Sequence, residues 1–196
     1  MIAKPIFLEI KMANVTVKGG PVTLGGTFPS AGDNAKDFNL ANAKRENVNL
    51  ASFAGKKKIL NIFPSIDTPT CALSVKRFND EATKLGNAVV LCISADLPFA
   101  QTRFCGAEGT ENVITLSAFR DIKGFATDYG VYIEDSSLQG LTSRAVVIID
   151  ENNKVIYVYG TYEKCPTVEK NKLFEIVLIL FQNFLTNAKE KKHEQN

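Results

Sequence analysis

Short apolar runs alternate with amphipathic segments along most of the chain. The runs 58–63 and 88–94 are almost continuously apolar and are bounded by polar residues, a pattern typical of strands buried inside a sheet. Between them, apolar residues recur at spacings of three and four from Val75 to Leu85, and charged residues fill the other positions. This periodicity predicts an amphipathic helix, which Gly86 is expected to end.

Further elements follow the second run. A helix is predicted from Pro98 to Gly106, because Asp96 and a proline just inside a helix start form a common opening signal. The apolar runs 145–149 and 155–159 flank a polar turn and predict a β-hairpin. The apolar positions from 168 to 188 predict a long final helix.

The order of these elements predicts one α/β domain. Strands separated by helices indicate a βαβ half and the late hairpin adds antiparallel strands, so we expect a mixed central sheet flanked by helices. Segments 15–17 and 22–24 predict an additional N-terminal β-hairpin. We therefore assign 1–14 to an N-terminal extension, 15–188 to the domain and 189–196 to a charged, disordered tail.

Composition narrows the possible partners. The chain is 45% hydrophobic and 22% charged, with a formal net charge of +2, so no strong field suggests binding to nucleic acid. The apolar run 174–185 is too short and too interrupted to span a bilayer, and the first eleven residues do not form a secretory signal. We expect a cytoplasmic protein that does not bind membranes.

The cysteines limit the chemistry. In a reducing compartment, Cys71, Cys92, Cys105 and Cys165 are not expected to form a disulfide scaffold, and no Cys-x-x-Cys pair suggests a metal site. The single histidine, His193, lies in the charged tail, away from any cysteine in sequence. We expect no metal and no cofactor, and a nucleophile in this chain must be activated without histidine.

Cys71 follows the first buried run and falls in the first turn of the predicted helix. The unpaired N–H groups and the positive end of the helix dipole favour a thiolate there. A free cysteine at such a position can equally be a small buried hydrophobe. Position alone leaves both interpretations open.

The roles of Thr68 and Pro64, which both precede Cys71, are open to similar alternatives. Thr68 is placed to hydrogen-bond an oxygen bound near the sulfur, or it serves only as the helix N-cap. Pro64 would keep the strand exit rigid and shield a thiolate from water, or it simply ends the strand.

A resemblance to a known family bears on these alternatives. The pattern Pro64-x-x-x-Thr68-x-x-Cys71 matches the active-site motif of peroxiredoxins. Three longer segments resemble the bacterial thiol peroxidase subfamily: Asn61–Thr68, Cys92–Gln101 and Arg103–Gly109. The similarity extends from about Val15 to Tyr157 and implies a thioredoxin-like fold.

The resemblance also implies an atypical two-cysteine mechanism. Cys71 corresponds to the peroxidatic cysteine and Cys105 to the resolving cysteine, and thioredoxin would reduce their intrachain disulfide. Thr68, Arg144 and Pro64 match the remaining catalytic positions. A guanidinium near Cys71 would favour the thiolate and stabilise charge on the breaking O–O bond, whereas without the resemblance Arg144 would be interpreted as a surface charge.

Two helical cysteines are rarely within disulfide distance in both redox states, so we expect local unfolding of the Cys71 turn and the Cys105 helix on oxidation.

Cys92 is predicted to be a buried core residue without catalytic duty. Cys165 is interpreted as an incidental exposed thiol, although an intermolecular disulfide remains an alternative. The resemblance further implies a homodimer formed through the surface near the active site.

Substrate preference and rival functions complete the expectations. The subfamily resemblance, together with the apolar side chains of Phe99, Phe104 and Phe119 near the expected site, suggests organic hydroperoxides over hydrogen peroxide as substrates. A thioredoxin-like disulfide oxidoreductase would need a cysteine where Thr68 stands. A peroxide sensor or redox-dependent holdase lacks support from any basic surface pattern or second domain, and turnover with thioredoxin would distinguish it from an enzyme.

Overall fold

The computed structural model describes residues 16–17 and 20–161. The predicted extension 1–14 and tail 189–196, the predicted final helix, Cys165 and His193 lie outside the described residues. No helix within the described ranges is long and apolar enough to cross a membrane.

The elements follow the predicted alternation of strands and helices. The strands are β1 (Thr16–Val17), β2 (Gly20–Pro21), β3 (Leu24–Gly25), β4 (Leu40–Ala41), β5 (Asn47–Val48), β6 (Lys57–Ile62), β7 (Ala88–Ser94), β8 (Ile114–Ser117), β9 (Tyr132–Ile133), β10 (Arg144–Ile149) and β11 (Val155–Thr161). The helices are a 3₁₀ turn (Leu50–Phe53), α1 (Pro69–Ala82), α2 (Pro98–Glu108) and α3 (Ile122–Asp128).

A seven-stranded sheet in the order β11-β10-β6-β7-β8-β4-β5 forms the centre. Strands β6, β7 and β8 are parallel, as expected for strands connected through helices. Strand β10 pairs antiparallel with β6, placing Ala145 opposite Ile62, and β11 returns as the predicted hairpin. The predicted mixed sheet is confirmed.

Side chains of the central strands point alternately to the two faces of the sheet, and an apolar cluster lies on each face. One contains Leu60, Ile62, Leu91 and Ile93 together with Phe125 and Tyr129 from the α3 region. The other contains Ile59, Phe63, Val90 and Cys92 together with Val75 and Phe78 of α1 and Phe104 of α2. Because successive side chains of a strand point to opposite faces, the continuous apolar runs of β6 and β7 bury both faces of the sheet.

The N-terminal hairpin and the ends of the first two α-helices differ from the prediction. β1 pairs with β2 rather than with 22–24, and Pro21, which has no N–H to donate, ends that pairing; Leu24 instead pairs with Ile133. Helix α1 ends at Ala82, before Gly86. Helix α2 continues through Gly106 and ends at Gly109, whose φ of 65° provides the left-handed cap.

Cys92 is a fully buried residue of β7, as predicted. The Asn61 side-chain amide donates to its sulfur at 3.6 Å. Burial raises the pKa of the Cys92 thiol to about 12, and the nearby Cys105 acts in the same direction. The neutral thiol is therefore the form that the folded protein stabilises.

Replacement of Cys92 by alanine should make the free energy of unfolding fall less steeply as the pH rises above 9. An unfolded thiol titrates near pH 9.0, so the contribution of neutral Cys92 is complete below that pH and is lost as the pH rises toward 12. Denaturant titrations between pH 8 and 11 should show a wild-type slope steeper than that of Cys92→Ala by up to about 1.4 kcal/mol per pH unit, the value for one proton.

Burial also raises the pKa of Tyr129 and Tyr157, but both tyrosines are present in wild type and variant, so their contributions cancel in the comparison. Equal slopes in the two proteins would contradict the prediction.

Candidate active site

The candidate site lies where the parallel strands β6 and β7 end. Their register pairs Ile62 with Ile93, so the segments that follow the two strands leave the same edge of the sheet. Pro64 lies in the segment that leads from β6 to α1, and Asp96 lies in the segment that leads from β7 to α2. The first helix carries Cys71 and the second carries Cys105.

The Asp96 carboxylate organises the segment before α1. Its Oδ1 accepts from the Ser65 hydroxyl at 2.8 Å, and its Oδ2 accepts from the Ile66 N–H at 2.6 Å and the Ser94 hydroxyl at 2.7 Å. In the sequence, Asp96 resembled a helix-start signal only, but the residue at the α2 N-cap is Leu97. The rule that parallel strands end at one edge would have placed Asp96 beside the 64–68 segment.

Thr68 occupies the N-cap position of α1, but its side chain does not cap the helix. Its hydroxyl donates to the Ser65 carbonyl at 3.2 Å, and its N–H donates to the same oxygen at 3.2 Å. Because a carbonyl only accepts, the hydroxyl proton is committed to this bond. The Thr68 oxygen therefore faces any further partner as an acceptor.

Cys71 is the third residue of α1, in the first turn as predicted. The Ala72 N–H donates to the Thr68 carbonyl at 2.9 Å as the helix begins, so Cys71 lies in the turn where amide groups have no earlier acceptor in the helix. Its exposed fraction is 1%, and it packs in the apolar cluster beneath α1. Burial and a helix N-terminus thus coincide at this residue.

Cys105 lies in the last turn of α2. Its carbonyl accepts from the N–H of Gly109 and from the N–H of Thr110 at 3.2 Å. The side chain is partly exposed and packs against the cluster that contains Cys71. Cys71, Cys92 and Cys105 are all free thiols.

Two exposed ion pairs connect the cysteine-bearing segments. Arg103 contacts Asp67 at 3.1 Å, and Lys76 contacts Glu108 at 2.6 Å. Exposed pairs of this kind contribute little to stability because water and salt screen them. Apolar packing and buried hydrogen bonds therefore hold these segments together.

Arg144 begins β10 and reaches the same edge of the sheet. Since Ala145 lies opposite Ile62, Arg144 is level with the residues that follow β6. Val146 and Ile148 belong to the cluster of Cys71, so the alternation of the strand places Arg144 on that face. The backbone thus brings Pro64, Thr68, Cys71 and Arg144 to one edge, next to the α2 helix of Cys105.

The predicted aromatic residues have different environments. Phe104 is buried in the cluster of Cys71, whereas Phe99 and Phe119 are exposed. The guanidinium of Arg45 lies over the Phe99 ring at 5.5 Å. In the part of the chain that the structure describes, no three His, Cys, Asp or Glu side chains are grouped where a metal ion could bind.

Comparisons with known proteins agree with this architecture. The family profile described as Redoxin matches residues 30–175. A protein named thiol peroxidase from Corynebacterium glutamicum is 49% identical over 146 residues, which cover 74% of this chain and 87% of the relative.

Solved structures show the same fold. The peroxiredoxin-like protein from Aquifex aeolicus superimposes with a TM-score of 0.72 at 34% identity, covering 83% of this chain and 96% of its own. The thiol peroxidase from Chromobacterium violaceum gives a TM-score of 0.72 at 23% identity, covering 87% of this chain and 98% of its own. The chain therefore belongs to the redoxin family, within the thiol peroxidase subfamily of peroxiredoxins.

Proposed function

We propose that this chain reduces hydroperoxides by a two-cysteine mechanism in which Cys71 is the nucleophile and Cys105 resolves it. The observation that carries the proposal is the position of Cys71 in the first turn of α1, inside the Pro64–Thr68–Cys71 motif and against the cluster that Cys105 borders. An N-terminal helical turn favours a thiolate without histidine.

The first step oxidises Cys71. Its thiolate attacks one oxygen of the hydroperoxide, so that an S–O bond forms and the O–O bond breaks. The leaving oxygen takes a proton and departs as an alcohol or water, and Cys71 becomes a sulfenic acid.

Thr68, Arg144 and Pro64 support this step in the proposal. The Thr68 oxygen, whose proton is donated to the Ser65 carbonyl, is suited to accept a hydrogen bond from the peroxide O–H. The guanidinium of Arg144 would stabilise the thiolate and the charge that develops on the breaking O–O bond. Pro64 would limit the access of water at the strand exit.

The second step forms a disulfide within the chain. The Cys105 thiolate attacks the Cys71 sulfur, the S–S bond forms, and the sulfenic oxygen leaves as water after protonation. Two helical cysteines are rarely within disulfide distance in both redox states, so we expect this step to involve local unfolding of the Cys71 turn and the last turn of α2. Thioredoxin would then supply two electrons and restore both thiols.

We also propose a cytoplasmic homodimer. The proposed cycle, in which thioredoxin reduces a Cys71–Cys105 disulfide, fits a reducing compartment. Leu97, Phe99 and Phe119 are large apolar side chains exposed near the ends of β7 and β8, and such a surface suits contact with a second copy near the site.

Treatment of the reduced protein with one equivalent of peroxide should produce an intrachain bridge between Cys71 and Cys105. Peptide mass spectrometry under non-reducing conditions identifies the bridge, and Cys92 should remain a free thiol because it is buried and neutral. Thioredoxin with its reductase should then restore the reduced masses over repeated additions.

Each other product contradicts a defined part of the mechanism. Cys71 found only as sulfenic or sulfinic acid, or bridged to Cys165, would retain the nucleophile and reject the resolving residue. A Cys71 that stays a free thiol would reject the peroxidase function itself.

Two substitutions of Thr68 should distinguish the contribution of its hydroxyl to the reaction rate from that of its methyl group. Thr68→Ser keeps the oxygen and should react with peroxide at nearly the wild-type rate, whereas Thr68→Val should lose roughly a hundredfold, the scale of one catalytic polar group. The chain has no tryptophan, so rapid quenching by alkylation followed by mass spectrometry measures the rate. Equal rates for the two variants would limit Thr68 to a structural role.

An apolar side chain in the same cluster as the Cys71 thiol supports alkyl hydroperoxides as substrates. Phe104 packs in the cluster that contains Cys71, so an alkyl group that enters beside the sulfur would meet an apolar surface. We expect a higher kcat/KM for cumene hydroperoxide than for hydrogen peroxide. A clear preference for hydrogen peroxide would reject this part of the proposal.

A further inference from the structure

A partly buried chain of polar groups joins the helix of Cys105 to the segment before Cys71. The Gln101 amide, one turn before Cys105 in α2, donates to the Ser94 hydroxyl at 3.0 Å, and both residues are fully buried. The Ser94 hydroxyl donates to Asp96 at 2.7 Å, and Asp96 accepts from the Ser65 hydroxyl at 2.8 Å.

The directions of these hydrogen bonds are fixed by the groups involved. A carboxylate only accepts, so the hydroxyls of Ser65 and Ser94 and the N–H of Ile66 must all donate to Asp96. Hydrogen bonds to an ionised acceptor are short and stronger than neutral ones. Asp96 is therefore the charged centre of the chain.

The carboxylate acts on the catalytic segment through Ser65. The Ser65 carbonyl receives both the N–H and the hydroxyl of Thr68, and its hydroxyl accepts from the Asp67 N–H at 3.2 Å. Fixing Ser65 thus fixes the direction in which the Thr68 oxygen faces. Cys71 follows Thr68 within the same turn.

We propose that Asp96 is the positioning residue that holds segment 65–68 in the conformation in which Cys71 reacts with peroxide. The same hydrogen bonds must break before the Cys71 turn unfolds toward Cys105. This inference rests on the proposed two-cysteine function. One side chain then affects two steps in opposite directions. Loss of Asp96 slows the oxidation of Cys71 and speeds the formation of the disulfide.

A negative charge near a thiolate offers a different explanation of any effect of Asp96. If Asp96 acted through its charge, its neutralisation would favour the thiolate, raise the oxidation rate below neutral pH and move the pH profile toward acid. Positioning through hydrogen bonds leaves the midpoint of the profile in place and lowers the plateau.

The test measures the two steps separately in Asp96→Ala and Asp96→Asn. Reduced protein is mixed with cumene hydroperoxide, quenched at successive times and resolved by mass into thiol, sulfenic acid and disulfide. Asp96→Ala should oxidise about tenfold more slowly than wild type, the effect of losing a charge-assisted hydrogen bond of ordinary strength. Its sulfenic acid should convert to the disulfide several-fold faster than that of wild type.

The asparagine variant provides the conservative comparison. Its side-chain oxygen can still accept from the Ile66 N–H, and its amide can donate to the Ser65 hydroxyl, so both rates should lie between those of wild type and Asp96→Ala. This variant also keeps the test usable if the alanine variant does not fold.

Asp121→Asn is the matched control. Asp121 also accepts a backbone N–H, that of Gly124 at 2.9 Å, but it caps α3, which packs against the opposite face of the sheet. This variant should leave both rates at their wild-type values. In the double variant Ser65→Ala/Asp96→Ala, the fall in the oxidation rate should be smaller than the product of the two single effects, since each single variant already loses the hydrogen bond between the two residues.

Three results would overturn the inference: unchanged rates in Asp96→Ala, a fall or rise of both rates together, or an acid shift of the pH profile. A wild-type protein that forms no Cys71–Cys105 bridge would reject the proposed function, and the inference with it. A wild-type bridge combined with unchanged variant rates would reject only the role of Asp96.

Discussion

The parallel pairing of β6 with β7 determines the edge of the sheet at which the candidate site residues lie. Parallel strands send their following segments off the same edge of a sheet, and here one segment leads to Cys71 and the other to Cys105. Antiparallel β10 brings Arg144 to that edge from the other side of β6. The position of the site is therefore set by sheet topology. The backbone brings the site residues to one edge, and their side chains determine only the local geometry.

The parts of the fold that local patterns encode were predictable. β6 and β7 are apolar along their length because both faces are buried, and α1 has a clear apolar stripe. The two-residue strands β4 and β5 carry no such pattern, since β4 exists through its pairing with distant β8. Helix α3 is only seven residues long, and its packing through Phe125 stabilises it more than its periodicity does.

The features of the site also fall into those that nearby residues encode and those that depend on distant residues. The position of Cys71 in a helical first turn follows from the strand, the prolines and the helix around it, all of which are near in sequence. The direction of the Thr68 hydroxyl could not be predicted, because an N-cap bond and a bond to the Ser65 carbonyl are both local options for threonine. Asp96 was missed because its partners Ser65 and Ile66 lie about thirty residues away, where only the folded sheet brings them close.

The end of α2 has a consequence for the durability of the protein. The Cys105 carbonyl is held by the N–H groups of Gly109 and Thr110, so the bonds that retain this cysteine belong to the final turn of the helix. The residues of α2 that cover the sheet, Pro98, Gln101 and Phe104, all precede it. Fraying of one terminal turn would free Cys105 while these residues stay packed. In the proposed cycle, such a movement of Cys105 would expose little apolar surface of α2 to proteases or to aggregation.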